Sequence, residues 1–85
     1  METRVAVISI IVDDAGAAPQ LNSILHEYGA YIIGRMGIPY RQKGVSIISV
    51  AVDAPQDMIN ALCGSIGRIS GVTSKAAYSN VITKA

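Results

Sequence analysis

Arg4-Val5-Ala6-Val7-Ile8-Ser9-Ile10-Ile11-Val12 is the stretch on which the fold turns. Its β-branched, apolar residues suit a strand, where branching at Cβ packs well on a pleated surface. Successive side chains of a strand point to opposite faces. Ala6, Ile8, Ile10 and Val12 therefore share one face, and Val5, Val7 and Ile11, with Ser9, share the other. Both faces are apolar. The run Val45 to Val52 repeats the pattern, with Ile48, Val50 and Val52 on one side and Val45, Ile47 and Ala51 on the other. An antiparallel sheet with one wet face alternates apolar and polar residues instead. The two runs read as central strands whose faces both need cover.

Outward from the first run, Asp13-Asp14-Ala15-Gly16 ends the strand, and Leu21, Ile24, Leu25 and Tyr28 form the i, i+3, i+4, i+7 stripe of an amphipathic helix. Pro19 fits the first turn of that helix and Gly29 its end. Tyr31 to Ile38 reads as a second strand, loosened by Gly34 and Gly37, and Pro39 to Gly44 as a charged connection into the third. Asp53-Ala54-Pro55-Gln56 matches a capping box, with the acid at the cap and Gln three residues on. Ile59, Leu62, Cys63 and Ile66 make a second helical stripe, stopped at Ser70-Gly71. Val72 to Ile82 is a weaker final strand.

The order β-α-β-β-α-β predicts an α+β, ferredoxin-like domain. It is expected to fold as a single domain over residues 1–85, as a four-stranded antiparallel sheet with two helices on one face. Two helices cover one face of a sheet about 19 Å wide at ~4.8 Å per strand. Since both faces of the central strands are apolar, the central residues of the uncovered face then form an exposed apolar patch. A patch of that kind implies a partner. The expected partner is the chain itself, as a homodimer or tetramer through the open sheet face.

Composition narrows the function classes. Hydrophobic residues make up 51% of the chain, with no Trp and no Phe, so the core is aliphatic. A net charge of +1 with 15% charged residues gives no basic excess for nucleic acid. Cys63 is the only cysteine, which excludes a disulfide framework within the chain and a CxxC pair. No stretch approaches the ~20 apolar residues that span a bilayer. The stretch Val5 to Val12 runs straight into Asp13-Asp14 rather than into a cleavage-like tail. A cytoplasmic setting is expected.

Leu25-His26-Glu27-Tyr28, then Ile33-Gly34-Arg35-Met36-Gly37-Ile38-Pro39-Tyr40, resembles the small proteins of the iron-only hydrogenase system regulator family. So do Ala61-Leu62, Gly64, Ile66, Gly67-Arg68 and Ser70-Gly71-Val72. The likeness runs from about Arg4 to Val81, and the Arg35-Met36-Gly37 segment with its following proline is the most specific part. The resemblance implies an ACT-like domain, similar to the ligand-binding half of the nickel-responsive regulator. Family members are named for their genomic company with hydrogenase maturation genes. Two departures count. With one histidine and one cysteine, the nickel ligand set of that regulator is not carried over. No ribbon-helix-helix segment stands ahead of Arg4, so direct operator binding is not implied.

Several residues are candidates for chemistry, each with a plainer reading beside it. Asp13, Asp14 and Gly16 occupy the first strand-to-helix corner, where the resemblance implies ligand contacts. A helix start holds anionic groups through its free N–H groups, but such acids also simply cap a helix and complement its dipole. Arg35 sits in a strand near Gly34 and Gly37, and glycine in a strand marks close approach by a ligand or another chain. Tyr40, Arg41 and Lys43 are expected at the same end of the sheet as Asp13 and Gly16, as a mixed-charge pocket or as a solvated hairpin tip. His26 is a weak candidate metal ligand that needs a second protomer, since one imidazole is too few; otherwise it is a surface histidine. Cys63 is either a buried small hydrophobe or a reactive thiol.

These residues favour a regulatory ligand-binding module that senses a small molecule or a metal, linked through the resemblance to iron-only hydrogenase maturation or its transcription. The alternative is an oligomeric protein–protein scaffold with no small ligand. The cofactor is not specified by the sequence. An enzyme on this fold, such as an acylphosphatase-like hydrolase, needs a glycine-rich, arginine-bearing phosphate cradle or a nucleophile–base pair, and neither is visible.

Overall fold

A computed structural model describes residues 2–84, with side chains over residues 2–79. Met1 and Ala85, the ends of the expected domain, lie outside the described residues, as do the side chains of Val81 and Ile82 in the expected final strand. The elements are β1 (Glu2–Val12), α1 (Ala18–Glu27), β2 (Ile32–Tyr40), β3 (Val45–Ala54), α2 (Gln56–Gly67) and β4 (Val72–Lys84). Short 3-10 turns, Ala15–Ala17 and Gly29–Tyr31, precede and follow α1. The strands form one antiparallel sheet in the order β2-β3-β1-β4. This is the expected ferredoxin-like arrangement, and the two doubly apolar strands are its centre.

Register explains the layering. Ile8 pairs with Val50, Ala6 with Val52 and Arg4 with Ala54, so the helix-facing residues of β1 and β3 stand side by side. Ala6, Ile8, Ile10, Val12, Val50, Val52 and Ala54 are buried there beneath Leu21 and Leu25 of α1 and Ile59, Leu62 and Ile66 of α2. Burying an Ile or Leu side chain contributes about 1.5–3 kcal/mol, and no polar residue dilutes this layer.

Four local expectations are corrected. The second strand runs on through Pro39 and Tyr40, which pair with Ser46 and Val45; proline is tolerated because β2 is an edge strand. Tyr31 lies in a 3-10 turn rather than the strand. Gly29 follows the helix without a left-handed conformation, which is confined to Gly44 (φ 66°) in the hairpin turn and Gly71 (φ 82°). The Asp53–Gln56 capping box does not form. Strand pairing continues through Ala54, which leaves Pro55 at the cap position with no side-chain cap bond, and Asp57 accepts from the Met58 N–H at 3.0 Å instead.

Candidate functional site

The outer strand of the hairpin is only partly roofed by α1. The positions of β2 that face the helix layer are Arg35, Gly37 and Pro39, paired with Val50, Ile48 and Ser46. Gly37 contributes no side chain to this floor; a Cβ there would lie 3.8 Å from Ile48 Cγ1, in ordinary contact. The gap left between α1 and the β2–β3 hairpin is a cleft of about 440 Å3, within the range of roughly 300–1,000 Å3 usual for small-molecule sites.

Two arginines line it. Arg35 is held toward α1 by a hydrogen bond from its Nη2 to Asn22 Oδ1 at 3.1 Å, and Arg41 enters from the hairpin turn. Val12, Leu21 and Ile48 make the apolar part of the wall, and no carboxylate lines it. The expected mixed-charge pocket is therefore a basic one. An arginine fork suits carboxylate and phosphate oxygens, so the arrangement is chemically equipped to hold an anion with an apolar body.

The corner acids stand beside this cleft rather than in it. Ala15 lines it, whereas Asp13, Asp14 and Gly16 do not. Asp14 Oδ1 accepts from the Gly16 N–H at 2.9 Å and caps the 3-10 turn, and the Asp13 N–H donates to the Gly71 carbonyl at 2.9 Å. Gly71 approaches so closely that a Cβ there would lie 2.5 Å from Asp14 Cβ. This corner is a joint between the start of α1 and the turn before β4. Tyr40 lies on the opposite, open face, paired with Val45, and its hydroxyl donates to Gln42 Oε1 at 2.8 Å.

His26 is exposed in the last turn of α1, where a positive imidazole would complement the helix dipole. Among the described residues, no three His, Cys, Asp or Glu side chains gather at metal-binding distance. Cys63 is half-buried on α2, and burial pushes its thiol above the ordinary value of 9.0. Sequence reasoning missed Asn22 and the apolar wall. Asn22 meets Arg35 across thirteen residues, and no local pattern announces such a contact.

Comparison with known proteins places the chain. Residues 4–76 match the TM1266-like family profile, described as "Iron-only hydrogenase system regulator, putative". The solved structure of the uncharacterized protein TM1266 from Thermotoga maritima is 35% identical and superposes with a TM-score of 0.86, over 89% of this chain and 96% of that one. Two more distant structures share the fold alone. A formyltetrahydrofolate deformylase from Pseudomonas putida KT2440 is 17% identical with a TM-score of 0.64; the match takes in 91% of this chain but only 29% of the deformylase. CPII, a nitrogen regulatory PII-like protein from Thiomonas intermedia K12, is 12% identical with a TM-score of 0.53, over 95% and 96% of the two chains. No curated protein matches at a significant level. No helix among the described residues is long and apolar enough to cross a membrane.

Proposed function

Since the chain belongs to the TM1266-like family of iron-only hydrogenase system regulators, we propose that it is a regulatory binding module whose cleft takes a small anionic molecule. The process it serves is the maturation or the transcription of an iron-only hydrogenase, in keeping with the family description. One observation carries the reading: Arg35 and Arg41 both line an apolar-walled cleft that no carboxylate lines. An arginine fork matches carboxylate and phosphate oxygens, and no acid among the lining residues competes for it. The walls supply the area that gives a small ligand affinity beyond charge alone.

Thermal unfolding in the presence of separate panels of carboxylates, phosphates and nucleotides tests this. A ligand at a hundred times its Kd stabilises the folded state by about 2.7 kcal/mol. That corresponds to a rise in Tm of roughly 10 °C or more for a domain of this size. The rise should vanish in Arg35→Ala and Arg41→Ala. A flat response to every panel removes the reading. A second reading, a protein-binding scaffold without a small ligand, is supported by the exposed side chains of Val7, Ile11, Met36, Ile38 and Ile47 on the uncovered sheet face.

A further inference from the structure

The hydrogen-bonding side chains that line the cleft between α1 and the β2–β3 hairpin are one-sided in their chemistry. Arg35 and Arg41 carry donors and no acceptor. Asn22 gives its side-chain oxygen to Arg35 Nη2 at 3.1 Å, which leaves it the amide N–H donors. Ser46 adds a hydroxyl, which turns either way. No acid lines the cleft. Asp13 and Asp14 stand at the neighbouring corner, where Asp14 Oδ1 is taken by the Gly16 N–H at 2.9 Å. A ligand here is met by donors. An ammonium group finds no counter-charge.

The backbone withholds what a phosphate needs. Phosphates rest on free N–H groups at a helix start or a glycine-rich turn. At the start of α1 these groups are already engaged. The Gly16 N–H goes to Asp14 Oδ1, the Ala17 N–H to the Asp14 carbonyl at 2.9 Å and the Ala18 N–H to the Ala15 carbonyl, while Pro19 has none. No aromatic ring lines the cleft either, so a nucleobase has no stacking platform. What the wall offers is aliphatic, from Val12, Leu21, Val45 and Ile48.

Resting on the cleft being an anion site, we infer that its ligand class is the aliphatic 2-oxo acids. The arginines take the carboxylate, the donors of Asn22 and Ser46 are available to the oxo oxygen, and the hydrocarbon chain lies on the aliphatic wall. The amino acid of the same carbon skeleton is refused. It places a cation where the oxo acid has an acceptor, beside two arginines and with no acid to answer it. Specificity of this kind comes from the penalty on the wrong ligand as much as from contacts to the right one.

Isothermal titration calorimetry of the full chain at neutral pH is the test, with four probes: 4-methyl-2-oxopentanoate, leucine, 4-methylpentanoate and isopentyl phosphate. The oxo acid should bind, leucine at least about tenfold more weakly, and the other two at least about threefold more weakly. From pyruvate upward, each added methylene should tighten binding by up to about fourfold. Arg35→Ala and Arg41→Ala should each weaken the oxo acid about tenfold or more. Asn22→Asp, an isosteric change at an exposed residue, supplies the missing acid and should cut the preference over leucine at least about threefold. Leucine less than about tenfold weaker, or isopentyl phosphate as tight as the oxo acid, overturns this inference and leaves the anion cleft standing. So does a cleft that takes other anions and none of these acids. Affinity that stays flat along the chain series overturns the role of the wall. No binding by any anion, or oxo-acid binding that survives both arginine substitutions, removes the anion cleft as well.

Discussion

The two faces of the sheet are built from the same strands and nearly the same residue types, yet they do different work. On the helix side, Ile8, Ile10 and Val50 are 0% exposed, locked among Leu21, Leu25, Ile59 and Ile66. On the other side, Ile11, next to Ile10 on β1, and Ile47, three residues before Val50 on β3, remain 47% and 45% exposed. Chemistry alone does not separate the two sets; cover does. An isoleucine contributes to stability through the water it escapes and the atoms it touches, and on the open face both terms are left largely uncollected by the single chain.

This contrast can be broken by substitution, and the largest effect belongs to the covered face. Ile10→Ala should lower stability by about 3 kcal/mol in urea titration, from lost transfer energy and the cavity left behind. The matching change on the open face, Ile11→Ala, should cost less than about 1 kcal/mol when measured at concentrations too low for association. Equal losses at the two positions would mean that the open face is covered within one molecule. Next in size is Gly71→Ala. Its φ of 82° and the 2.5 Å approach to Asp14 Cβ predict a loss of about 2 kcal/mol or more, seen as a fall in Tm. Because this joint supports the start of α1, the same variant should also weaken any ligand held in the neighbouring cleft.

Smaller effects sharpen the picture on the helix side. Arg35→Ala removes an exposed hydrogen bond to Asn22 and should change stability by less than about 0.5 kcal/mol, while abolishing the ligand-induced rise in Tm. Gly37→Ala meets Ile48 only at ordinary contact distance, so it should leave the fold intact and shrink the cleft by a methyl group. The smallest effect is at Cys63. Burial raises its thiol above 9.0, so the thiol is neutral at physiological pH and iodoacetamide should modify it more slowly than a free cysteine. The folded state holds this proton more tightly than the unfolded one. Its contribution is complete below the unfolded value and fades as pH rises through the folded one. Alkylation at the rate of a free thiol at pH 7.5 would contradict this.

Much of the fold was legible because strand periodicity and helix periodicity leave different marks. The doubly apolar runs around Ile8 and Val50 named the central strands before any pairing was known. Boundaries were less legible where two local rules competed. Asp53-Ala54-Pro55-Gln56 satisfies a capping pattern, but pairing of Ala54 with Arg4 draws the residues into the strand, and Asp53 goes to the sheet face. The site was half legible. Arg35, Gly37 and Arg41 come together at the cleft, whereas Asp13, Asp14 and Gly16 form the adjoining joint. An acid before a glycine looks the same in sequence whether it caps a turn or binds a ligand. Tyr40, the last residue of β2, faces the open side, whereas Arg41 begins the hairpin turn and lines the cleft.

The rims of the sheet carry a consequence of their own. β2 places Pro39, which has no N–H, in the outermost strand, and its pairing slips between Ile32 and Gly34. At the far side, the β1–β4 ladder is interrupted between Arg4 and Ala6. A stray chain seeking to lengthen the ladder sideways finds a missing donor on one border and a kinked rail on the other. Growth in that direction, the route to fibrils, is discouraged at both borders.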